Sequence, residues 1–105
     1  MIKVAILYPN KEGSQFDLDY YLNTHVPMAI EKFGSYLKGI SIEYGLSDLQ
    51  PGTKPTNTVI ANLTFDSVEA FRAAFDPHAQ VLLGDIPNYT NVEPTVQLSE
   101  VKMSQ

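Results

Sequence analysis

The stretch TVIANLTFDSVEAFRAAF, residues 58–75, decides the fold because it places a strand and a helix end to end. From Thr58 to Phe65, apolar residues alternate with mainly polar ones, which is the two-residue period of a strand. Asp66 or Ser67 then offers an N-terminal cap for a helix whose apolar residues recur at helical spacing. The stretch therefore predicts a β-α unit.

The first half of the chain predicts a second β-α unit followed by another strand. From Ile2 to Tyr8 the side chains alternate between two faces as in a strand, and both faces are fairly apolar, which is typical of a central strand. A helix capped by Asp17 follows and runs to about Phe33, and Leu37 to Tyr44 again has strand periodicity. The turn-forming stretch GLSDLQPGTKPT, residues 45–56, then separates the two halves of the chain.

The end of the chain completes the second half. Pro77 cannot continue the helix before it, but it suits the first turn of a short helix over Ala79 to Leu83, with Asp76 as its cap. A final strand covers about Thr95 to Val101. The order β-α-β, loop, β-α-β predicts an α+β, ferredoxin-like fold with a four-stranded antiparallel sheet and both helices on one face. At 105 residues, positions 1–105 form a single domain.

The other face of this sheet needs a partner of its own. It should hold Ile60 among Thr58, Asn62 and Thr64, a mixture too apolar for water and too polar for a dry core. Two such sheets packed face to face would form a dimeric α+β barrel, so we expect a homodimer. The alternative is a monomer whose open face tolerates some exposed apolar surface.

Composition and charge exclude several classes of function. The net charge is −5, with twelve acidic residues against seven scattered basic ones, so the chain offers no patch for nucleic acid. The absence of cysteine removes thiol nucleophiles and thiolate metal sites and fits a reducing compartment. No stretch has the apolar length of a signal peptide or a membrane span, and neither a GxGxxG motif nor a phosphate-binding loop is present. We expect a cytoplasmic protein.

The most informative stretch for chemistry is FDLDYYLNTHVPMA, residues 16–29. At about 100° per residue, His25 lies within the core-facing stripe of the helix. Its neighbours on that stripe are Leu18, Leu22, Ala29 and Phe33. Pro27 cannot donate an amide bond to the carbonyl of Asn23, so the helix should kink or restart beside His25. A buried imidazole there either lines a ligand cavity or is a core histidine bonded to a carbonyl or a tyrosine.

Further candidates each have a purely structural alternative. Asp85, at the end of the short helix, is either a turn residue or the group that orients His25 and holds its positive form. Tyr89 is either a packing residue with its hydroxyl at the surface or a phenol donor for a carbonyl in the pocket. Of Tyr20 and Tyr21, one should be exposed while the other flanks His25. We expect no zinc or haem, because the two histidines lie on separate elements without metal-binding spacing.

Three segments, YYLNTHVPMA, SVEAFRAAF and DIPNYTNVEPTVQLSEV, resemble the EthD-like family, one branch of the dimeric α+β barrel proteins. The resemblance covers essentially the whole chain. Its most specific part is the pattern Tyr-x-x-x-His-x-Pro, here Tyr21, His25 and Pro27, and the next is DIPNYT, residues 85–90. Many members carry a Tyr-Trp or similar pair where this chain has Tyr21 and Leu22, so the pocket wall and the substrate need not follow the family.

The resemblance implies a homodimer, a pocket between each sheet and its helices, no bound metal, and a link to the breakdown of small organic compounds such as ethyl tert-butyl ether. We hypothesise that a small hydrophobic molecule binds beside His25, which acts as general acid or base without a cofactor, helped by Asp85 and Tyr89. The expected substrate-binding residues are Tyr21, Leu22, Pro27, Ile60 and Asn62. Two alternatives stay open: a non-catalytic carrier of a hydrophobic metabolite for a neighbouring enzyme, and a structural dimer with a closed pocket.

Overall fold

Both predicted β-α-β halves are present in the computed structural model, which describes residues 1–105. The strands are β1 (Ile2–Pro9), β2 (Gly39–Tyr44), β3 (Asn57–Phe65) and β4 (Thr95–Glu100). The first helical region consists of α1 (Leu18–Tyr20), a π turn (Tyr21–His25), α2 (Val26–Phe33) and a 3₁₀ turn (Gly34–Tyr36). The second consists of α3 (Val68–Phe75), α4 (Ala79–Gly84) and two 3₁₀ turns (Asp76–His78 and Ile86–Asn88). None of these helices is long and apolar enough to cross a membrane.

The four strands form one antiparallel sheet in the order β2-β3-β1-β4. β1 lies between β3 and β4, so its predicted central position is confirmed. Val4 of β1 pairs with Leu63 of β3 and with Leu98 of β4, which puts three apolar side chains on the same face. This strand order, with the helices on that one face, is the predicted ferredoxin-like α+β fold.

The core lies between the helices and one face of the sheet. The buried residues of β3 are at most 4% exposed and alternate along the strand: Val59, Ala61, Leu63 and Phe65. Phe33 of α2 and Phe71 of α3 pack edge-on against Phe65, with ring centroids 5.7 and 5.2 Å away. Aromatic rings bury large apolar areas, so these contacts anchor both helices on the same side of the sheet. They also determine where space is left between the two layers.

Side-chain caps set where two of the helices begin. Asp17 and Ser67 each accept a hydrogen bond of 3.0 Å from a backbone amide three residues further on, as N-terminal caps do. The predicted cap of the short helix is wrong. Asp76 lies inside the 3₁₀ turn that precedes α4, and its carboxylate contacts the guanidinium of Arg72 at 3.5 Å instead.

The opposite face of the sheet carries no helix. Ile60 and Asn62 lie there, because they alternate with the buried residues of β3, and they pair with Leu7 and Ala5 of β1. All four side chains are half-buried. Asn62 also donates a hydrogen bond of 2.7 Å to Glu43 of the neighbouring strand β2. This face therefore mixes apolar and polar groups, as the sequence predicted.

Candidate functional site

The helical register changes just before Pro27. Proline has no amide hydrogen, so the carbonyl of Asn23 cannot receive the usual bond from residue 27. The chain instead forms the π turn, in which the amide of Val26 donates to the carbonyl of Tyr21, five residues back. The helix resumes at Val26 with proline in its first turn, which confirms the predicted restart beside His25.

The extra residue of the π turn changes which side chains face the core. Tyr21 is 2% exposed, whereas Leu22 is 41% exposed and lies outside the cavity described below. The prediction placed Leu22 on the buried stripe because it assumed uninterrupted α-helical spacing, and it is wrong at that position for this reason. Pro27 is exposed as well and does not line the cavity. Its effect on the site comes through the backbone.

His25 is held by a carboxylate from the other half of the chain. Its Nδ1 lies 2.8 Å from Oδ2 of Asp85, and only 12% and 13% of the two side chains are exposed. An ionised carboxylate can only accept hydrogen bonds, so Nδ1 carries the hydrogen of the neutral imidazole. Nε2 then presents a lone pair. Because His25 lines the cavity and Nδ1 is occupied, Nε2 is the nitrogen left for a ligand.

Asp85 is itself fixed by two further donors. The hydroxyl of Tyr20 and the side-chain amide of Asn88 both donate to Oδ1, at 2.7 and 2.9 Å. Burial alone would raise the pKa of Asp85, but the hydrogen bonds from Asn88, Tyr20 and His25 outweigh it and hold the pKa below its ordinary value. The carboxylate is therefore ionised at neutral pH, and it serves as a fixed orienting group for His25.

The segment after α4 brings Asp85 to the first helix. The 3₁₀ turn over Ile86–Asn88 closes with a 3.0 Å bond from the amide of Asn88 to the carbonyl of Asp85. Thr90 then forms an isolated β-bridge with Phe16, and its hydroxyl donates to the carbonyl of Gln15 at 2.7 Å. These bonds tie the DIPNYT segment to the start of the first helical region. His25 and Asp85, which are 60 positions apart in the chain, are thereby brought within hydrogen-bonding distance.

Two tyrosines contact the imidazole, and a third, Tyr8, is hydrogen-bonded to one of them. Tyr21 stacks on His25 with ring centroids 5.5 Å apart, and Tyr89 lies tilted against it at 4.7 Å. The hydroxyls of Tyr8 and Tyr89 are 2.7 Å apart and hydrogen-bonded. The suggestion that the hydroxyl of Tyr89 reaches the surface is wrong, since that residue is 3% exposed.

The protonation state of these phenols follows from their burial. Loss of solvent raises the pKa of Tyr8, Tyr21 and Tyr89 well above the ordinary value for tyrosine. The three hydroxyls therefore keep their protons at any physiological pH. One hydrogen of the Tyr8–Tyr89 pair is used in the bond between them, so the group keeps two hydrogens that could be donated to a bound molecule, and none of the three can act as a base.

A cavity of about 340 Å³ lies between the sheet and the helices, and His25 forms part of its wall. Nineteen of its 22 lining residues are hydrophobic, a group in which the tyrosines are counted. The others are His25, Arg72 and Pro94. A cavity with such walls and few polar groups suits a small, largely apolar molecule that is oriented by one or two polar contacts.

The predicted site residues do not all reach this cavity. His25, Tyr21 and Tyr89 line it. Asp85 does not line it, but its carboxylate is hydrogen-bonded to Nδ1 of His25. Ile60 and Asn62 do not: they lie on the opposite face of β3 because successive strand residues point to opposite sides.

Two residues of the site were missed by sequence reasoning. The alternation along β1 put Tyr8 on one of two fairly apolar faces, but gave no reason to pair it with Tyr89, 81 residues away. Of Tyr20 and Tyr21, the one that does not flank His25 was expected to be exposed, and this is wrong, because Tyr20 is half-buried and bonds to Asp85. Nothing in the sequence signals its bond to Asp85.

No group of three or more histidine, aspartate or glutamate side chains lies close enough together to hold a metal ion.

Known proteins that are similar to this chain support its fold and the family resemblance of its first helix. The EthD domain family matches residues 12–93. An EthD-like protein from Ralstonia eutropha JMP134 is 38% identical, with a TM-score of 0.93 over 99% of this chain and 94% of its own. Two structures share the fold alone. One is a dimeric ferredoxin-like protein from an uncultured marine organism, 10% identical, with a TM-score of 0.63 over 99% of this chain and 96% of its own.

The other is SnoaB, described as a cofactor-independent oxygenase from Streptomyces nogalater. It is 14% identical, with a TM-score of 0.58 over 98% of this chain and 93% of its own. No curated protein matches the sequence.

Proposed function

This chain belongs to the EthD domain family, and on that premise we propose that it binds a small, largely apolar molecule in the cavity and transfers a proton at His25 without a cofactor. The observation that carries the proposal is the position of His25 between Asp85 and the cavity. A group that must take up a proton needs a free lone pair on one side and an orienting partner on the other. Nε2 and Asp85 provide these two features.

The carboxylate has a second role once a proton arrives. When Nε2 accepts a proton from the ligand, the imidazole becomes positively charged, and the carboxylate 2.8 Å from Nδ1 stabilises that charge. The pair is mostly buried, so their interaction is screened less than it would be at the surface. His25 is therefore the general base of the proposed reaction, and Asp85 is its positioning residue.

The buried tyrosines suit the other half of the reaction. Removing a proton from a ketone or a phenol leaves an enolate or a phenolate, which protonated phenols in the cavity wall would stabilise by donating hydrogen bonds. Tyr89 and Tyr21 are both in contact with the imidazole ring. Isomerisation, cyclisation, dehydration, and attack of oxygen on an activated phenol all begin with such a step. SnoaB, which shares only the fold, supports the last of these as a reaction for this architecture.

A carrier function is the second candidate, and the lining of the cavity favours it. Nineteen hydrophobic residues around one imidazole would retain an apolar metabolite without changing it. A carrier needs no base, so His25 would then contribute only a hydrogen bond to affinity. Measurements on variants of His25 separate the two candidates.

The setting of this activity is also part of the proposal. The mixed face around Ile60 and Leu7 supports a homodimer in which two sheets pack together, and the dimeric ferredoxin-like protein of the same fold supports dimerisation for this architecture. Family membership supports a role in the breakdown of small organic compounds, ether degradation included. A cytoplasmic location is consistent with the absence of cysteine.

Proton transfer can be tested before the natural substrate is identified. Cyclic ketones such as 2-tetralone exchange their acidic C–H hydrogens with deuterium from the solvent, and the exchange is followed by proton NMR. We expect the protein to accelerate this exchange and His25→Asn to lower the rate by about 100-fold or more, the usual contribution of a general base. Tyr36→Phe is the matched control, because Tyr36 is 47% exposed and lies outside the cavity.

The same experiment identifies the carrier. Binding of tetralone without accelerated exchange would favour carriage over catalysis. Exchange that continues at the wild-type rate in His25→Asn, with the variant folded by circular dichroism, would contradict the assignment of His25 as the base.

A further inference from the structure

We infer that the molecule bound in the cavity is a carboxylic acid, with its acidic group held by Arg72 at the end of the cavity opposite His25. The inference rests on the proposed function, because it takes the cavity to be the ligand site, and it adds the chemical class of the ligand. Arg72 is the single arginine of the chain and the one permanently charged side chain in the cavity wall.

The neighbours of Arg72 and His25 indicate that the two side chains lie toward opposite ends of the cavity. His25 packs in the tyrosine cluster around Tyr8, at the end of β1. Arg72 lies on α3 with its guanidinium 5.3 Å from the ring centre of Phe71, which belongs to the core cluster around Val4. Val4 and Tyr8 both line the cavity and are four residues apart on β1, a distance of about 13 Å. A ligand that touches both ends is therefore elongated.

The existing partner of Arg72 leaves most of its donors for a ligand. Its only hydrogen bond goes to Asp76 at 3.5 Å, and both side chains are more than half exposed, at 55% and 58%. A long, exposed pair of this kind contributes little to stability. A guanidinium carries five N–H groups in a planar fork that matches a carboxylate. The contact with Asp76 therefore does not prevent Arg72 from binding an acid.

The charge of the whole protein makes this placement informative. With a net charge of −5, the protein repels anions in general, so an acidic ligand needs a local positive group. The alternative is that Arg72 only covers the cavity with the methylene groups of its side chain, while its charge stays in water. The two readings differ in one measurable quantity: the preference for a charged ligand over a neutral one of the same shape.

A matched pair of probes measures that preference. 6-Hydroxy-2-naphthoate and 6-hydroxy-2-naphthamide have the same rings and the same hydroxyl, and they differ in the charge at the far end. We expect calorimetry to give a dissociation constant roughly five- to tenfold lower for the naphthoate, as for a partly exposed charge-assisted contact. The preference should shrink as salt is added.

Variants assign the preference to Arg72. Arg72→Met should remove it and leave the affinity for the naphthamide unchanged, because the methionine still covers the cavity. Arg72→Lys, which keeps the charge but loses the planar fork, should keep part of the preference and serves if the methionine variant does not fold. Asp76→Asn should retain or increase the preference, because it removes the competing carboxylate.

Each remaining outcome decides between the two proposals. Equal affinity of the wild type for both probes, or a preference that survives Arg72→Met, would overturn the acid-binding role while the apolar cavity and its base stand. Failure of the wild type to bind either naphthyl probe would overturn the proposed ligand site itself, and the inference with it.

Discussion

Replacing Asp85 by asparagine should reverse the tautomer of His25. Tyr20 and Asn88 both donate to Oδ1, whereas Nδ1 of His25 faces Oδ2. In Asp85→Asn the amide oxygen will therefore stay on the side of the two donors, and the amide NH₂ group will face the imidazole. Nδ1 must then accept a hydrogen bond, which moves the hydrogen of the neutral ring to Nε2. The nitrogen that faces the ligand changes from acceptor to donor.

The loss of stability in Asp85→Asn can be worked out from the hydrogen bond between residue 85 and His25. Hydrogen bonds to a charged group contribute roughly 1.5–3 kcal/mol and neutral ones roughly 0.5–1.5 kcal/mol. Because the imidazole finds a new, neutral bond in the variant, the free energy of unfolding should fall by about 1 kcal/mol. The effect on catalysis should be larger. Because Nε2 loses its lone pair, the rate of tetralone exchange should fall by about 100-fold or more, as expected for a missing base.

Nitrogen NMR reads the tautomer directly. The chain has two histidines, so a long-range proton–nitrogen spectrum of histidine-labelled protein contains two rings, and His78→Gln assigns them. At about pH 8, where histidine is ordinarily neutral, the wild type should show the hydrogen on Nδ1 of His25 and Asp85→Asn should show it on Nε2. Urea unfolding of the same samples gives the stability change.

The control is the same chemical change at an exposed acid. Asp76→Asn alters a carboxylate whose side chain is 58% exposed, so it should leave the tautomer of His25 unchanged and shift stability by less than about 0.5 kcal/mol. If Nε2 of His25 still lacks its hydrogen in Asp85→Asn, Asp85 does not set the tautomer. Its role as positioning residue would then be refuted.

Three further predictions concern stability. In Tyr8→Phe the hydroxyl of Tyr89 loses its partner, so the variant should lose about 1–2 kcal/mol in urea unfolding. Adding Tyr89→Phe should cost less than the sum of the single changes, and additivity would argue against the bond. Because the folded state lowers the pKa of Asp85, unfolding takes up a proton in acid; stability should fall as the pH drops below about 4, and less steeply in Asp85→Asn. A Cβ on Gly45 would overlap a backbone carbonyl, so Gly45→Ala should cost about 1–3 kcal/mol, whereas Gly84→Ala, which meets nothing, should be near neutral in thermal unfolding.

The elements of the fold could be predicted from local patterns because each is set by residues close together in the chain. The alternation of β3 and the cap at Ser67 depend on neighbours within a few residues, and both are found as predicted. Leu22 shows the limit of this reasoning. A single π turn over Tyr21–His25 changed which side chain is buried, and no apolar pattern reports such a change of register.

The candidate site was predictable only in part, in some of its residues and in one of two alternatives for Asp85. His25 and Asp85 were both named, yet their bond depends on how α4 docks against the first helix, which is a tertiary property. Ile60 was expected both on the open face of the sheet and among the substrate-binding residues, whereas the cavity lies on the helix side. The resemblance gave the identity of the residues, and the fold decided which face they share.

The alternative of a satisfied core histidine can now be judged on the two ring nitrogens of His25. A structural histidine in a core uses both nitrogens in bonds that hold the fold, because an unpaired buried nitrogen is costly. No buried side-chain nitrogen or oxygen lacks a partner here, and the bond to Asp85 accounts for Nδ1 alone. Nε2 therefore keeps accessible surface, and its ring forms part of the cavity wall. The ring thus has one nitrogen fixed by a carboxylate and one without a protein partner, which is the asymmetry that a base requires.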